Sequence, residues 1–385
     1  MEIKTLSELS VDGRGYYGIG ASAVEYSEDL PTYLRITDIK DDGTLNFDGL
    51  KSVDDENASS YLLHPNDIVF ARTGASTGRN YFYDGSDGEF VYAGFLIKFS
   101  IDPEKVNPKY VKYYCLSNDY KGWIHSFNTG STRGNINAQT LGSMPIPIPS
   151  RAQQNGIVSL LESLDNKVRI NELINKNLQE QAQAIYQYMI VENADDSWAP
   201  GVLSDIAIVT MGQSPKGDTY NEDGVGTVFF QGRAEFGFRF PTRRLYTTDP
   251  KRMAQANDAL MSVRAPVGDM NVAYEDCCIG RGLAAIRSKD GHQSFVLYTM
   301  FDLREELNVF NGEGTVFGSI NRDALNSMPI SIPPKVVLDE FEAIVAPMDA
   351  AIRNNYDEIC RLEAIRDSLL PRLMSGELDI SELEL

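Results

Sequence analysis

The chain has few of the residues that bind metals or cross-link a fold. Its 385 residues include four cysteines and three histidines, and none of these lies at the spacing of a zinc site or a redox pair. No apolar run approaches the roughly 18 residues that a membrane-spanning helix needs. The first residues also lack the apolar stretch of a secretory signal. We therefore expect a reduced, cytoplasmic protein that holds no metal.

Basic residues are scarce as well. Lysine and arginine number 35 against 55 aspartates and glutamates, which gives a formal net charge of −20. This charge argues against nonspecific binding of nucleic acid over the whole surface. It leaves two local basic segments open as binding sites. Residues 120–161 contain no carboxylate, and residues 231–264 contain seven basic and three acidic side chains.

Motifs for catalysis are missing too. Residues 212–219 have the outline of a phosphate-binding loop, but Asp218 stands where that loop requires lysine. We find no nucleophile elbow, zinc-protease helix, methyltransferase signature or carboxylate–lysine nuclease core. The sequence therefore predicts a chain that is not an enzyme by itself, with a degenerate enzyme as a further interpretation.

What the sequence does contain is an internal repeat. The matching segments are 130–137 with 314–321, 141–149 with 325–333, and 66–72 with 257–264. The first two pairs share an offset of 184 residues. A period this long indicates a duplicated domain rather than a solenoid, whose repeats have about 20 to 50 residues.

Each half of the repeat reads as a β-rich domain followed by a long helix. Residues 1–150 and 197–334 alternate short β-branched or aromatic runs with turn residues, and each ends in a proline-rich segment that stops a helix. Residues 151–196 and 335–375 read as spacer helices, and 376–385 as a C-terminal tail. We therefore predict an α+β fold with two β-rich mixed domains in a pseudo-twofold repeat, joined by two long helices that form an antiparallel coiled coil.

Two asparagines interrupt the apolar pattern of these helices. Apolar residues recur every three or four positions, as in a coiled-coil seam, and Asn171 and Asn355 occupy equivalent positions near the middle of each seam. If the helices pair antiparallel with their ends aligned, the two side chains meet and fix the register. We therefore predict Asn171 and Asn355 as register residues. The alternative, that each helix packs only on its own domain, remains open.

The candidate binding residues lie in polar loops that contain glycine. Glycine allows close approach of the backbone, and hydroxyl, amide and guanidinium groups suit phosphates and base edges. In the first domain the candidates are Arg72, Thr73, Ser76, Thr77, Arg79, Ser131, Thr132 and Arg133. In the second domain they are Gln213, Ser214, Lys216, Gln231, Arg233, Arg264, Arg281 and Thr315. The alternative is that these are ordinary solvated turns.

Further segments carry a resemblance to a known family. They are residues 33–39 (YLRITDI), 263–268 (VRAPVG) and 366–378 (RDSLLPRLMSGEL). Together with the two domains and two helices, they make the chain resemble the DNA-specificity (S) subunit of type I restriction-modification systems. The resemblance covers essentially the whole chain.

This resemblance implies a function and a set of partners. Residues 1–150 and 197–334 would be target recognition domains, each reading one half of a bipartite asymmetric site in double-stranded DNA. The helices would separate the domains and dock two methyltransferase (modification) subunits. Those subunits would supply S-adenosylmethionine and adenine methylation, so that this non-catalytic chain binds no cofactor. Restriction (translocase) subunits would join the complex, which defends the cell against foreign DNA. The alternative function is a non-catalytic two-domain coiled-coil scaffold that does not bind DNA.

Overall fold

The two halves of the chain build their strands and helices in the same order. The computed structural model describes residues 2–127, 135–195, 197–312 and 318–380. The chain divides into unit 1, which comprises Met1–Arg169 and Ile359–Leu385, and unit 2, which comprises Ile170–Glu358. Each unit therefore contains a β-rich part and one segment of each long helix.

Of the described strands, ten lie in unit 1 and eleven in unit 2. Those of unit 1 are β1 (Glu2–Thr5), β2 (Tyr16–Tyr17), β3 (Ala23–Val24), β4 (Thr32–Leu34), β5 (Lys51–Val53), β6 (Asp67–Ala71), β7 (Asn80–Tyr83), β8 (Phe90–Tyr92), β9 (Leu96–Ser100) and β10 (Pro145–Ile148). Those of unit 2 are β11 (Ala199–Val202), β12 (Ala207–Met211), β13 (Tyr220–Asn221), β14 (Thr227–Phe230), β15 (Leu245–Thr247), β16 (Met253–Ala254), β17 (Ala259–Ser262), β18 (Met270–Val272), β19 (Cys277–Ile279), β20 (Leu283–Ser288) and β21 (Pro329–Ile332).

Two helices are much longer than the others. The α-helices are α1 (Leu6–Leu9), α2 (Pro108–Tyr114), α3 (Asn118–His125), α4 (Ala138–Gly142), α5 (Arg151–Tyr186), α6 (Leu203–Ile206), α7 (Gln293–Asp302), α8 (Arg304–Asn308), α9 (Arg322–Asn326) and α10 (Lys335–Ser375). A π-helical segment, Gln187–Glu192, continues α5.

The sheets of the two units have the same topology. Unit 1 has sheets in the orders β2-β9-β6-β7 and β3-β5-β4-β8, and unit 2 has β12-β20-β17-β18 and β13-β15-β14-β19-β16. In each unit one strand pair is parallel, β4 with β8 and β14 with β19. A separate antiparallel ribbon joins β1 to β10 and β11 to β21. Only β16, at a sheet edge, lacks a counterpart among the described strands. The matching strand orders confirm the predicted repeat.

The repeated sequence segments supply turns and helix caps. Asn66 and Asn257 precede β6 and β17 with φ angles of 77° and 73°, the left-handed conformation that asparagine tolerates better than most residues. Asn137 and Asn321 are the N-caps of α4 and α9, and each side chain accepts a hydrogen bond from the backbone three residues on. The residues that recur in both halves are therefore those that the backbone requires at these turns and helix caps.

The long helices contribute to the core of each unit. In unit 1, Leu161 of α5 and Leu373 of α10 pack in the same apolar cluster as the buried residues of β6 and β9. In unit 2, Tyr186 of α5 and Phe341 of α10 pack with the core beneath β17 and β20. These contacts confirm the predicted α+β fold with two sheet-rich domains and long amphipathic helices.

The helices run antiparallel within each unit, but the register differs from the prediction. In unit 2, Asn171 Nδ2 donates to Glu358 Oε2 at 2.8 Å, and Asn355 Nδ2 donates to Asn175 Oδ1 at 2.9 Å. As residue numbers rise along α5 they fall along α10. Asn171 and Asn355 therefore do not meet, because Asn355 lies opposite the asparagine one helical turn further along α5.

Candidate functional site

In unit 2, several chain segments meet where the parallel strands β14 and β19 end. We call residues 212–214, 230–233, 263–264 and 279–283 the unit 2 crossing. Backbone hydrogen bonds join them: Gly212 N to Leu283 O (2.9 Å), Gln213 N to Ile279 O (2.9 Å), Gly280 N to Phe230 O (2.8 Å) and Val263 N to Gly282 O (2.9 Å). The backbone of this region is thus held from several sides.

Unit 1 contains the same arrangement where β4 and β8 end. We call residues 18–20, 34–37, 72–73 and 92–96 the unit 1 crossing. The corresponding hydrogen bonds are Gly18 N to Leu96 O (3.2 Å), Ile19 N to Tyr92 O (3.1 Å), Ala93 N to Leu34 O (3.0 Å) and Arg72 N to Phe95 O (3.1 Å). Bond by bond, the crossings are equivalent.

One glycine in each crossing is required by close backbone approach. A Cβ atom on Gly18 would lie 2.2 Å from the carbonyl oxygen of Tyr92, and one on Gly212 would lie 2.1 Å from that of Gly280. Backbone oxygens fixed by hydrogen bonds cannot yield to such a contact. Glycine is therefore needed at the same point in both units.

The structure corrects the alignment of Arg72 with Arg264. Ile136 N donates to Arg72 O at 2.9 Å, and the equivalent bond in unit 2 runs from Ile320 N to Val263 O at 3.1 Å. Arg72 is therefore equivalent to Val263, and Arg264 to Thr73. The sequence match failed here because the loops after β6 and β17 differ, so that alike side chains fall one position apart.

The unit 2 crossing carries exposed polar side chains. Gln213, Gln231, Arg264 and Arg281 are exposed, and neither arginine forms an ion pair with a described residue. Ser214 is half-buried, and its Oγ accepts a hydrogen bond from Arg281 N at 3.2 Å. The nearby Lys216 is also exposed. The fold thus brings together candidates that are far apart in sequence.

The rest of the basic segment 231–264 is largely neutralised. Arg233 forms an ion pair with Asp269, and Arg239, with a side chain only 4% exposed, forms one with Asp349. Further ion pairs join Arg243 to Glu275, Arg244 to Glu235 and Lys251 to Asp249. A count along the sequence missed most of these carboxylates because the fold supplies them from other segments.

In unit 1, Arg72 is a candidate binding residue that remains available at the crossing to contact a ligand. Its guanidinium lies over the ring of Tyr17, 5.1 Å from the centroid, and its Nε is buried without a hydrogen-bond partner among the residues that the structure describes. Thr73 and Ser76 are half-buried in the following loop. Stacking on an aromatic ring holds the guanidinium in one orientation.

Two other candidates of the same loop have structural contacts. Thr77 Oγ1 donates to Gly74 O at 2.8 Å, which closes the tight turn. Arg79 Nε donates to Asp41 Oδ1 at 2.6 Å. Ser131, Thr132, Arg133 and Thr315 lie outside the described residues.

A further arginine at the unit 1 crossing is neutralised locally. Arg35, equivalent to Gln231, donates from Nη2 to Asp38 Oδ1 at 2.6 Å. The hydrogen bond to the Asp38 carboxylate raises the pKa of Arg35 above its ordinary value, so this cation is held by its own domain. The unit 1 crossing is consequently less cationic than its sequence suggests.

The sequence analysis missed the aromatic surface of the unit 1 crossing. Phe95, whose carbonyl binds Arg72 N, is 58% exposed, and Tyr16 and Tyr17 of β2 are also exposed. The signal in the sequence that could have found this surface was the glycine pair Gly18 and Gly94, which marks the unit 1 crossing. Recognising that signal required knowing that Gly18 is equivalent to Gly212.

Other kinds of site were searched for in the described ranges. Among the residues that the structure describes, no group of three or more histidine, cysteine, aspartate or glutamate side chains could hold a metal ion. Within the same ranges, no helix is long and apolar enough to cross a membrane.

Comparison with known proteins shows what the chain is similar to. Residues 33–180 match the family model described as the type I restriction modification DNA specificity domain. The chain is 28% identical over 355 residues to a putative type I restriction enzyme MjaX specificity subunit of Methanocaldococcus jannaschii, a match that covers 86% of this chain and 83% of that protein. The chain is therefore similar to type I restriction enzyme specificity subunits over most of its length.

Two further comparisons agree with this similarity. The chain is 23% identical to the type I restriction enzyme MjaIX specificity subunit of M. jannaschii, over 74% of this chain and 72% of that one. The crystal structure of a type I restriction-modification S subunit from M. genitalium has a TM-score of 0.56 at 16% identity, and covers 97% of this chain and 95% of that one. At this identity the likeness shows that the two proteins share a fold.

Proposed function

We propose that this chain is the DNA-recognition subunit of a type I restriction-modification complex, and that each crossing reads one half of a bipartite, asymmetric duplex site. The observation that carries the proposal is the duplicated crossing. The same backbone arrangement occurs in both units, yet it presents Arg72 and Phe95 in one and Gln213, Gln231 and Arg281 in the other. Equivalent surfaces with different side chains suit two different half-sites.

The charge distribution supports a division of labour between this chain and its partners. The net charge is −20, and most cations of the segment 231–264 are neutralised. Arg264 and Arg281, which form no ion pair with a described residue, are therefore few against the acidic side chains of the chain. Phosphate contacts supply most of the affinity of DNA-binding proteins. We therefore assign most phosphate contacts to the partner subunits and base reading to this chain.

The helices support a second role, the docking of two methyltransferase subunits. In unit 2, Ile170, Leu173 and Ile174 of α5 are all exposed, Leu173 by 57%, and their spacing of three and four places them on one helix face. An exposed apolar stripe on a helix is typical of a protein interface. The methyltransferase subunits carry S-adenosylmethionine in this proposal, restriction subunits join them, and this chain performs no chemistry.

The proposal is tested by measuring affinity for duplex DNA with and without the methyltransferase partners. The isolated chain should bind weakly, and the assembled complex should bind tightly, with affinity that falls steeply as salt rises. Sequencing of the DNA that the complex methylates should give one site in two unlike halves. A complex that assembles but neither binds nor methylates DNA selectively would contradict the proposal and favour the scaffold function.

Docking is tested separately by a charge on the exposed stripe. Leu173→Lys should abolish co-purification of the methyltransferase subunits, because a lysine in an apolar interface must be desolvated. Ile344→Lys is the matched control, since Ile344 is an exposed apolar residue of α10 in the same unit. Both variants should keep the wild-type melting temperature. Equal co-purification of both variants and wild type would remove this face as the docking surface.

A further inference from the structure

Each crossing ends in a tight turn at the equivalent place. In unit 1, Leu96 N donates to Ala93 O at 2.8 Å, and in unit 2, Leu283 N donates to Gly280 O at 3.0 Å. We call residues 93–96 the first turn and residues 280–283 the second turn. Each turn links the parallel strand of one sheet to the central strand of the next, and both ends of the turn are therefore fixed.

The tips of the two turns differ in chemistry. The first turn presents Gly94 and Phe95, whereas the second presents Arg281 and Gly282. Phe95 is 58% exposed even though Phe70 and Phe99 of the same unit are fully buried. Equivalent backbone therefore offers an apolar ring in one unit and a guanidinium group in the other.

The surroundings of Phe95 distinguish it from a stray exposed residue. A single exposed apolar side chain is ordinary. Here, however, the Phe95 carbonyl accepts a hydrogen bond from Arg72 N, and the Arg72 guanidinium stacks on Tyr17 with its Nε unpartnered among the described residues. A guanidinium group beside an exposed aromatic ring is a combination typical of nucleic-acid surfaces.

The surroundings of Arg281 fit a different base. Its backbone nitrogen is held by Ser214 Oγ at 3.2 Å, and its side chain forms no ion pair with a described residue. The exposed amides of Gln213 and Gln231 flank the second turn. An arginine fork matches the O6 and N7 atoms of guanine, and glutamine matches adenine.

We propose that the first and second turns determine the specificity of the two half-sites, with Phe95 contacting a thymine methyl group in one half and Arg281 donating to guanine in the other. This inference rests on the proposed function. It predicts that the site has an A·T pair under the first turn and a G·C pair under the second. The asymmetry of the site then follows from the difference between two equivalent turns.

Arg281 is tested by comparing Arg281→Ala with Arg281→Lys in the complete methyltransferase complex. Loss of a bidentate contact to guanine should reduce discrimination at one G·C position by roughly ten- to a hundredfold. Arg281→Lys should keep affinity for DNA but lose discrimination, because lysine retains the charge without the planar fork. Discrimination that survives in both variants would overturn the role of Arg281.

Phe95 is tested by Phe95→Ala, with Phe47→Ala as the control because Phe47 is similarly exposed elsewhere in unit 1. Phe95→Ala should relax one A·T position in the other half-site, and Phe95→Tyr should restore it. Replacing that thymine by uracil, which lacks the methyl group, should weaken binding by wild type and not by Phe95→Ala. Unchanged preference in Phe95→Ala, or relaxation at a G·C position, would overturn the thymine contact.

The result also separates the two proposals. If the wild-type complex methylates DNA without sequence preference, the proposed function fails. If the wild type has a bipartite site, and the turn variants keep both that site and the wild-type melting temperature, only the role of the turns fails.

Discussion

The two crossings share a backbone and differ in the side chains they expose. Gly18 and Gly212 lie at the same point, and the same hydrogen bonds surround them. Ile19, buried in unit 1, corresponds to the exposed Gln213 in unit 2. The positions that hold the backbone in place are thus alike in the two units, and the side chains around them differ.

The units also hold their helix segments differently. Unit 1 combines the apolar side chains of Leu161 and Leu373 with a half-buried ion pair between Arg366 and Asp165 at 3.2 Å. Unit 2 buries Arg239 against Asp349, a carboxylate that also accepts hydrogen bonds from side chains of α7. We call these two ion pairs the anchors of their units. A buried charge is costly when its partner is removed, so the two anchors should respond unequally to substitution.

Removing the arginine of each anchor should give the largest difference. Arg239→Ala should lower the free energy of unfolding by about 3–5 kcal/mol, because it leaves a carboxylate without its buried partner. Arg366→Ala should cost about 1 kcal/mol, since water screens that pair. Urea unfolding of both variants and the wild type measures the two losses. Equal losses would show that the anchors are not different in kind.

Alanine at the repeated glycines should affect both units alike. Gly18→Ala and Gly212→Ala should each cost about 1–3 kcal/mol, because the added Cβ overlaps a fixed carbonyl oxygen. Gly20→Ala is the control: a Cβ there meets nothing within 4 Å. Thermal unfolding gives the measurement. A large loss of stability from the alanine substitution in only one unit would mean that the crossings are less alike than their hydrogen bonds indicate.

The asparagine contact between the helix segments of unit 2 should have a smaller effect. Asn355→Leu should cost about 1 kcal/mol, because it leaves the buried amide of Asn175 without its partner. The double variant Asn175→Leu with Asn355→Leu should be nearly as stable as wild type, since both polar groups are then gone. A double-mutant cycle in urea tests this, and additive losses would contradict the contact.

The smallest effect should depend on pH and occur in unit 2 alone. Asn107 Nδ2 donates to Asn155 Oδ1 at 2.9 Å in unit 1, and the equivalent contact in unit 2 joins His292 Nε2 to Asp339 Oδ1 at 2.9 Å. Burial lowers the pKa of His292, but hydrogen bonds to the carboxylates of Asp339 and Asp290 raise it more, so that the pKa lies above its ordinary value of 6.5.

Because the folded state binds the proton more tightly, this contact stabilises the protein fully below pH 6.5. The stabilisation is lost as the pH rises through the folded-state pKa. With partners this exposed we expect a loss below about 1 kcal/mol. Comparing the stability of wild type and His292→Gln across this pH range isolates the effect. A variant whose stability still falls as steeply as wild type would assign the pH dependence to another group.

The sequence predicted the parts of the molecule that follow from local pattern. The seam spacing predicted α5 and α10, and the repeated Asn137 and Asn321 marked equivalent helix caps. The contacts between residues far apart in the sequence did not follow from that pattern. Helix periodicity identifies a face but not the opposing residue, so the partner of Asn355 was misplaced by one turn.

The candidate site was predicted in its chemistry and missed in its geometry. Gln213, Gln231 and Arg281 were identified separately, yet only the fold brings them to one crossing. Arg239 was counted as a cation of the basic segment 231–264 because its carboxylate partner lies 110 residues away in the sequence. Phe95 was overlooked because exposure of an aromatic residue cannot be read from a strand pattern.

The central claim is that the two units read their half-sites independently. Sequencing of methylated DNA tests this claim most directly. Arg72→Ala should relax preference in one half-site and Arg264→Ala in the other, each by about 1–3 kcal/mol if the side chain reads a base. The double variant should combine the two changes additively, as expected for sites that share no partners. If either single substitution alters both half-sites, or if the double variant departs strongly from additivity, the units do not read the site separately.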